Sequence, residues 1–278
     1  HIRRHLNTAL SLGDGDTATR FIKELMKLYI AAPEHVSMTF LGPQVDALYR
    51  QFYDVGEDRF AKEKADSNRF VMERFETIQK RAETAADPVL AGLKLAILGN
   101  YIDFSALQGQ VSFDQLDQML EKALEAELDM AVYDDFCREL REGKKLLYLT
   151  DNAGEIGFDR IFGEAIAAKY PHLQITFCVR GLPAHNDATR EDAEIVGIPF
   201  RVIDNGNLVS GTELTMLSKE AKEAMDSADV IISKGMANTE TLYGSGYPIY
   251  YAFLVKCPRF VTWFGKPMMT PMFVGERK

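Results

Sequence analysis

Apolar positions recur at helical spacing through the first half of the chain and collect into short, continuous runs through the second. The clearest helical stripe is Leu116, Met119, Leu120, Ala123, Leu124, Leu128 and Ala131. Ser112 with Gln115 reads as a capping box at its start, and Val111 is placed to staple onto Leu116. Similar spacing predicts helices over 17–31, 44–55, 67–85 and 88–103. At Glu142-Gly143-Lys144-Lys145 the texture changes to β-rich runs, each followed by Gly or Asn and then a helical pattern. These runs predict strands over 146–150, 174–179, 200–203, 230–233, 249–255 and 260–263, with an irregular tail from Gly265 to Lys278. Residues 1–142 therefore read as a helical domain and 143–278 as an α/β domain. Strands alternating with helices imply a mainly parallel sheet covered on both faces.

Composition narrows the function classes. With 278 residues, 46% apolar and 26% charged, the chain can bury a large core throughout. A net charge of −9 and no basic stripe argue against nucleic acid and anionic lipid as partners. The apolar runs fall well short of the roughly 20 residues a membrane helix needs. Cys137, Cys178 and Cys257 are odd in number and widely spaced, which suggests neither a disulfide framework nor a zinc knuckle and points to a reducing cytoplasm. The chain begins at His1 with no apolar signal core, as a trimmed start would.

Candidate chemistry gathers where strands end, because loops leaving the carboxyl ends of an open α/β sheet converge on its ligand crevice. The first strand runs into Thr150-Asp151-Asn152-Ala153-Gly154-Glu155, and the second into Arg180-Gly181 and then His185-Asn186-Asp187-Ala188-Thr189. A later strand runs into Lys234-Gly235, followed by Asn238-Thr239-Glu240. Taken singly, Asn152 with Glu155 is also a helix-start pattern, and Asn186 or Asp187 could cap the helix that follows. Taken together, two carboxylates and an amide oxygen suit Mg²⁺ or Mn²⁺ better than Zn²⁺, and Arg180 and Lys234 supply cations for phosphate oxygens. Asn100 and Asp103, three apart on a helix, share a face and are candidates for binding the organic part of a substrate, or for an interdomain hydrogen bond. His185 is set aside as a general acid, and His1 and His5 read as surface histidines.

The ordered motifs Asp151-Asn152-Ala153-Gly154-Glu155, Arg180-Gly181 with Asn186-Asp187-Ala188-Thr189, and Lys234-Gly235 with Asn238 and Glu240 resemble those of the damage-control phosphatases. That family was once catalogued as domain of unknown function 89 and is also called acidic-residue methyltransferase-like. Lys64 with Ser67-Asn68, and Gly99-Asn100-Tyr101-Ile102-Asp103-Phe104, are similar to its prokaryotic branch. The resemblance spans residues 50–264. It implies an N-terminal all-α domain packed on a Rossmann-like three-layer αβα domain, with a divalent metal (Mn²⁺, Mg²⁺, Co²⁺ or Ni²⁺) in the cleft. It also implies that Asp151, Asn152 and Asp187 hold the metal, that Lys234 contacts phosphate, and that Glu155, Arg180 and Asn186 support them. The branch often opens with a Cys-x-x-Cys pair, which is absent from this sequence.

The expected activity is hydrolysis of a small phosphomonoester, such as a sugar phosphate, nucleotide or damaged phosphometabolite, by metal-activated water. An S-adenosylmethionine-dependent carboxyl methyltransferase is a competing reading, weakened by the lack of a glycine-rich loop after the first strand. A non-catalytic metal- or metabolite-binding protein is a third.

Overall fold

A computed structural model describes residues 2–34, 37–101 and 113–276. Among the described residues, eight helices precede the sheet: α1 (Ile2–Leu12), α2 (Gly15–Ala31), α3 (Gly42–Phe52), α4 (Ala61–Met72), α5 (Phe75–Glu83), α6 (Pro88–Tyr101), α7 (Phe113–Glu125) and α8 (Met130–Glu142). The remainder runs β1 (Lys145–Leu149), α9 (Glu155–Lys169), β2 (Gln174–Val179), α10 (Arg190–Ile195) and β3 (Arg201–Asp204). It continues through α11 (Lys219–Ser227), β4 (Val230–Lys234), α12 (Gly235–Leu242), β5 (Ile249–Leu254), α13 (Pro258–Phe264) and β6 (Pro271–Glu276).

The six strands form one sheet in the order β3-β2-β1-β4-β5-β6, with β1 to β5 parallel and β6 antiparallel to β5. Side chains alternate across it as a strand requires. Leu146, Tyr148, Phe177, Ile232 and Tyr250 face a core shared with α6, α8 and α9. Leu147, Leu149, Ile231, Tyr251 and Phe253 face one shared with Met225 of α11, Leu242 of α12 and Phe260 of α13. The result is a three-layer α/β fold, with α1, α2 and α3 closing over a separate aromatic cluster around Phe21 and Tyr49. The change in element type near residue 142 is not a break in the core. Val89, Leu93 and Ile97 of α6 pack in the same cluster as the strands. Apart from Lys94, which donates to the Leu124 carbonyl, α6 is apolar around its circumference from Pro88 to Leu98, so it is a buried helix and not an amphipathic one.

Four expectations are corrected. Residues 260–263 are helix, not strand: Pro258 opens α13 at its first turn and Gly265, in the left-handed region, closes it. The tail read as irregular contains β6, paired along its whole length with β5. The helix predicted over 67–85 is two, broken at Glu73-Arg74. The stripe through Leu116 also ends early, because Asp129 accepts from the N–H groups of Ala131 and Val132 and starts a new helix. The Ser112 capping box and its Val111 staple lie outside the described residues. No helix among the described residues is long and apolar enough to cross a membrane.

Candidate active site

The strand order reverses between β1 and β4, and the crevice outside the carboxyl ends of those two strands is where open α/β sheets bind ligands. Asp151 lies just past β1, and Gly235 lies just past β4. The two touch: Gly235 has φ of 79°, and a Cβ there would overlap the Asp151 carboxylate. The loop after β2 joins them through an isolated antiparallel bridge between Asn152 and Asp187. In this small ladder the Ala153 N–H donates to the Asn186 carbonyl (2.9 Å) and the Ala188 N–H donates to the Asp151 carbonyl (2.8 Å). Asp151, Asn152 and Asp187 are thus brought together by backbone pairing.

The capping alternatives are resolved by the helix starts. Helix α9 is capped by Gly154 without a side-chain bond, and α10 is capped by Thr189 in a capping box with Asp192. Asn152 instead donates its amide to Asp151 Oδ2 and to Glu155 Oε2, both at 2.9 Å. Asp187 accepts from Arg180 Nε at 2.6 Å and from the Ser210 hydroxyl at 3.4 Å. Arg180 is buried and also donates to Asn238 Oδ1 at 3.1 Å.

Lys234 departs from the role implied for it. Its ammonium has three donors, and they go to Asp159 Oδ1 (2.6 Å), Glu155 Oε1 (2.6 Å) and the Ala96 carbonyl (2.8 Å). Contact with phosphate would require it to leave two buried carboxylates. Asn238 is committed in the same way. Its amide donates to the Thr150 and Lys234 carbonyls, and its oxygen accepts from Arg180 and the Thr212 hydroxyl. Asn186 is half-buried and contributes its carbonyl to the ladder. The side chain of Asn100 and all of Asp103 lie outside the described residues.

Burial drives the electrostatics. It pushes the Asp151 carboxyl well above its usual range, aided by the Glu155 and Asp187 charges and opposed by Arg180 and Lys256. Burial likewise raises Asp159, to about 7, with Lys234 pulling it down. For Lys234, burial would lower the pKa, but Asp159 and Glu155 outweigh it and the ammonium is held above its usual value.

Among the described residues, no three His, Cys, Asp or Glu side chains form a ready metal cage. The set present is two carboxylates and an amide oxygen, which suits a cation that keeps several waters. A divalent cation would also offset the Glu155 and Asp187 charges that add to burial in raising Asp151, so the residues fit one.

A cavity of about 990 Å³ opens beside this centre, lined by His185 and Ser210 from the sheet side and by His5 of α1, Tyr49 of α3, and Arg59 and Phe60 of the turn before α4. His5 is therefore not a plain surface histidine. It is half-buried, bonds Tyr49 Oη at 3.0 Å, and is lowered to about 4 by burial and by the charges of Arg59, His185 and Arg4. Ser210, Asp159 and this helical wall were not singled out from sequence. Only Asp159, one turn after Glu155 on the same helix face, left a readable signal.

Comparison with known proteins agrees with this architecture. The damage-control phosphatase ARMT1-like domain family matches residues 8–270. A damage-control phosphatase of Archaeoglobus fulgidus is 30% identical over 261 residues, covering 92% of this chain and 88% of its own. The damage-control phosphatase PH1575 of Pyrococcus horikoshii is 36% identical over 169 residues, 60% of this chain and 58% of its own. The crystal structure of a domain-of-unknown-function-89 protein from Pyrococcus horikoshii superposes with a TM-score of 0.85 at 27% identity, over 99% of this chain and 97% of that one. On the match of fold, length and sequence, the chain belongs to the damage-control phosphatase ARMT1-like family.

Proposed function

We propose that the protein is a metal-dependent phosphatase that hydrolyses small phosphomonoesters with water. Family membership supports the phosphatase role. The observation that carries the metal reading is the Asn152 to Asp187 bridge, which gathers two carboxylates and an amide at the sheet's switch point beside a cavity sized for a small metabolite. Asp151, Asn152 and Asp187 would hold the cation. When bound, a divalent cation there would lower the pKa of water and screen phosphate charge.

The chain's own residues divide the remaining work. Arg180 orients Asp187, and Glu155 orients Asn152 while being held by Lys234. Lys256 follows β5, and its charge acts on Asp151. Its side chain makes no hydrogen bond or ion pair among the described residues, which leaves Lys256 the better phosphate cation than the saturated Lys234. The cavity wall of Tyr49, Phe60 and His5 receives the leaving group.

The test is turnover of p-nitrophenyl phosphate with Mn²⁺, Co²⁺, Ni²⁺ or Mg²⁺ by wild type, Asp151→Ala, Asp187→Ala and Lys256→Ala. Activity that requires metal, disappears in both aspartate variants and shows a raised KM in Lys256→Ala supports the proposal. Activity that survives a chelator or either aspartate variant defeats it, as does consumption of S-adenosylmethionine without phosphatase turnover.

A further inference from the structure

Helix α4 buries Lys64, Ser67 and Asn68, an unusual polar face for a helix inside a protein, and burying such groups is costly unless each finds a partner. Asn68, fully buried, finds two. Its Oδ1 accepts from the Gly154 N–H at 2.7 Å, and its Nδ2 donates to Asp192 Oδ1 at 2.7 Å. The amide's orientation follows from chemistry, because a backbone N–H only donates and a carboxylate only accepts.

Gly154 ends the loop that carries Asp151 and Asn152, and Asp192, in the first turn of α10, anchors Thr189 at the end of the loop that carries Asp187. Gly154 sits two residues after Asn152 at φ of 77°, where no side chain of its own loop caps the helix it begins. Asp192 holds Thr189, two residues after Asp187, by accepting from its N–H (2.8 Å) and hydroxyl (2.7 Å). Lys64 completes the group, with Nζ 2.9 Å from Asp192 Oδ2 and 3.2 Å from Asp58 Oδ2. The ladder that pairs Asp151 and Asn152 with Asp187 is therefore gripped at its outer ends by one side chain from a helix more than 80 residues earlier.

We propose that Asn68, backed by Lys64, is a positioning residue that sets the separation of the Asp151-Asn152 turn from the Asp187 turn and so tunes divalent-cation affinity. This inference rests on the metal-dependent reading above. Asn68 itself touches none of the three proposed ligands. Groups that hold ligands in place typically change metal affinity or activity about 10- to 100-fold when lost.

The experiment compares wild type with Asn68→Leu, which removes both hydrogen bonds at similar volume, and Lys64→Met, which removes only the ion pairs. It has three readouts: amide hydrogen exchange in chelator, Mn²⁺ affinity of the folded protein, and kcat and KM on p-nitrophenyl phosphate. In Asn68→Leu, exchange should quicken at Ala153 and Ala188 as well as at Gly154. Mn²⁺ affinity and kcat should each fall by about tenfold or more, with KM nearly unchanged. Lys64→Met should lower the melting temperature with smaller effects on all three readouts. A lower melting temperature in Asn68→Leu with unchanged exchange at Ala153 and Ala188 and unchanged Mn²⁺ affinity would overturn the proposal. If that variant does not fold, Asn68→Asp, which keeps the acceptor for Gly154 and loses the donor, must weaken Mn²⁺ measurably, and unchanged affinity overturns it equally. Wild type that hydrolyses no ester would end the phosphatase reading, while exchange and Mn²⁺ affinity would still decide the role of Asn68.

Discussion

Replacing Lys234 with Met separates the two roles this lysine could have. Side-chain exposure is 0% for Lys234, 1% for Glu155 and 0% for Asp159, so water cannot solvate the carboxylates once the ammonium is gone. Removing one partner of a buried ion pair costs about 3–5 kcal/mol, which for a chain of this size lowers the melting temperature by on the order of 10 °C. The loss depends on pH. Asp159 stands at about 7 with the ammonium beside it, burial raising it and Lys234 lowering it. Without Lys234 it rises further, and the folded variant holds a proton that the unfolded chain releases near the ordinary Asp value. A raised carboxyl pKa favours the folded state below the unfolded value and loses that contribution as pH climbs through the folded value. The deficit of Lys234→Met relative to wild type is therefore smallest near pH 5 and largest near pH 8. It grows above about pH 7, by up to about 1.4 kcal/mol per pH unit from Asp159. Urea melts followed by circular dichroism from pH 5 to 8.5 measure this, and adding Asp159→Asn should recover much of the loss at high pH. A deficit under about 1 kcal/mol that is flat with pH, the behaviour of an exposed pair, would refute the buried assignment and return Lys234 to phosphate contact.

Other outcomes follow from the same geometry. Gly235→Ala combines a disfavoured φ of 79° with overlap on the Asp151 carboxylate, and should cost about 2 kcal/mol or more and abolish Mn²⁺ binding; a wild-type urea midpoint would contradict this. His5 is lowered to about 4 in the folded chain from an ordinary 6.5, so the unfolded state takes up its proton first. Stability attributable to it is lost as pH falls from 6.5 toward 4, and His5→Gln should flatten that part of the melting temperature profile, whereas an identical slope would rule it out. Asp151→Asn removes a charge that burial and two neighbouring carboxylates oppose. It should hold or raise the melting temperature in chelator at pH 8 while eliminating the rise on adding Mn²⁺, and a clear fall in chelator would show that the charge is better accommodated than the geometry indicates.

What the sequence disclosed depended on whether the relevant contact was local. The run Leu146 to Leu149 and the run Val230 to Ile232 are continuously apolar because both faces of a central parallel strand are covered, so their ends, and with them Asp151 and Gly235, were easy to place. Phe260-Val261-Thr262-Trp263 has the composition of a strand. Its helical state is set by Pro258 and Gly265 and by aromatic packing onto Phe253. The break at Glu73-Arg74 carries neither Gly nor Pro and had no signal at all. The surroundings of Lys234 were hidden for a different reason: its partners Asp159, Glu155 and Ala96 lie 75, 79 and 138 residues away in sequence. The same holds for Asn68, whose partners Gly154 and Asp192 lie 86 and 124 residues away, and for His5, which bonds Tyr49 44 residues on.

The most direct test of the central claim is a Mn²⁺ titration followed by electron paramagnetic resonance, on protein stripped of metal by chelator, with p-nitrophenyl phosphate turnover measured on the same samples. The account predicts one Mn²⁺ per chain, turnover that rises in step with that occupancy, and loss of both in Asp151→Ala and in Asp187→Ala. Mn²⁺ bound with undiminished stoichiometry and affinity in either variant, or turnover at full rate without metal, would contradict it.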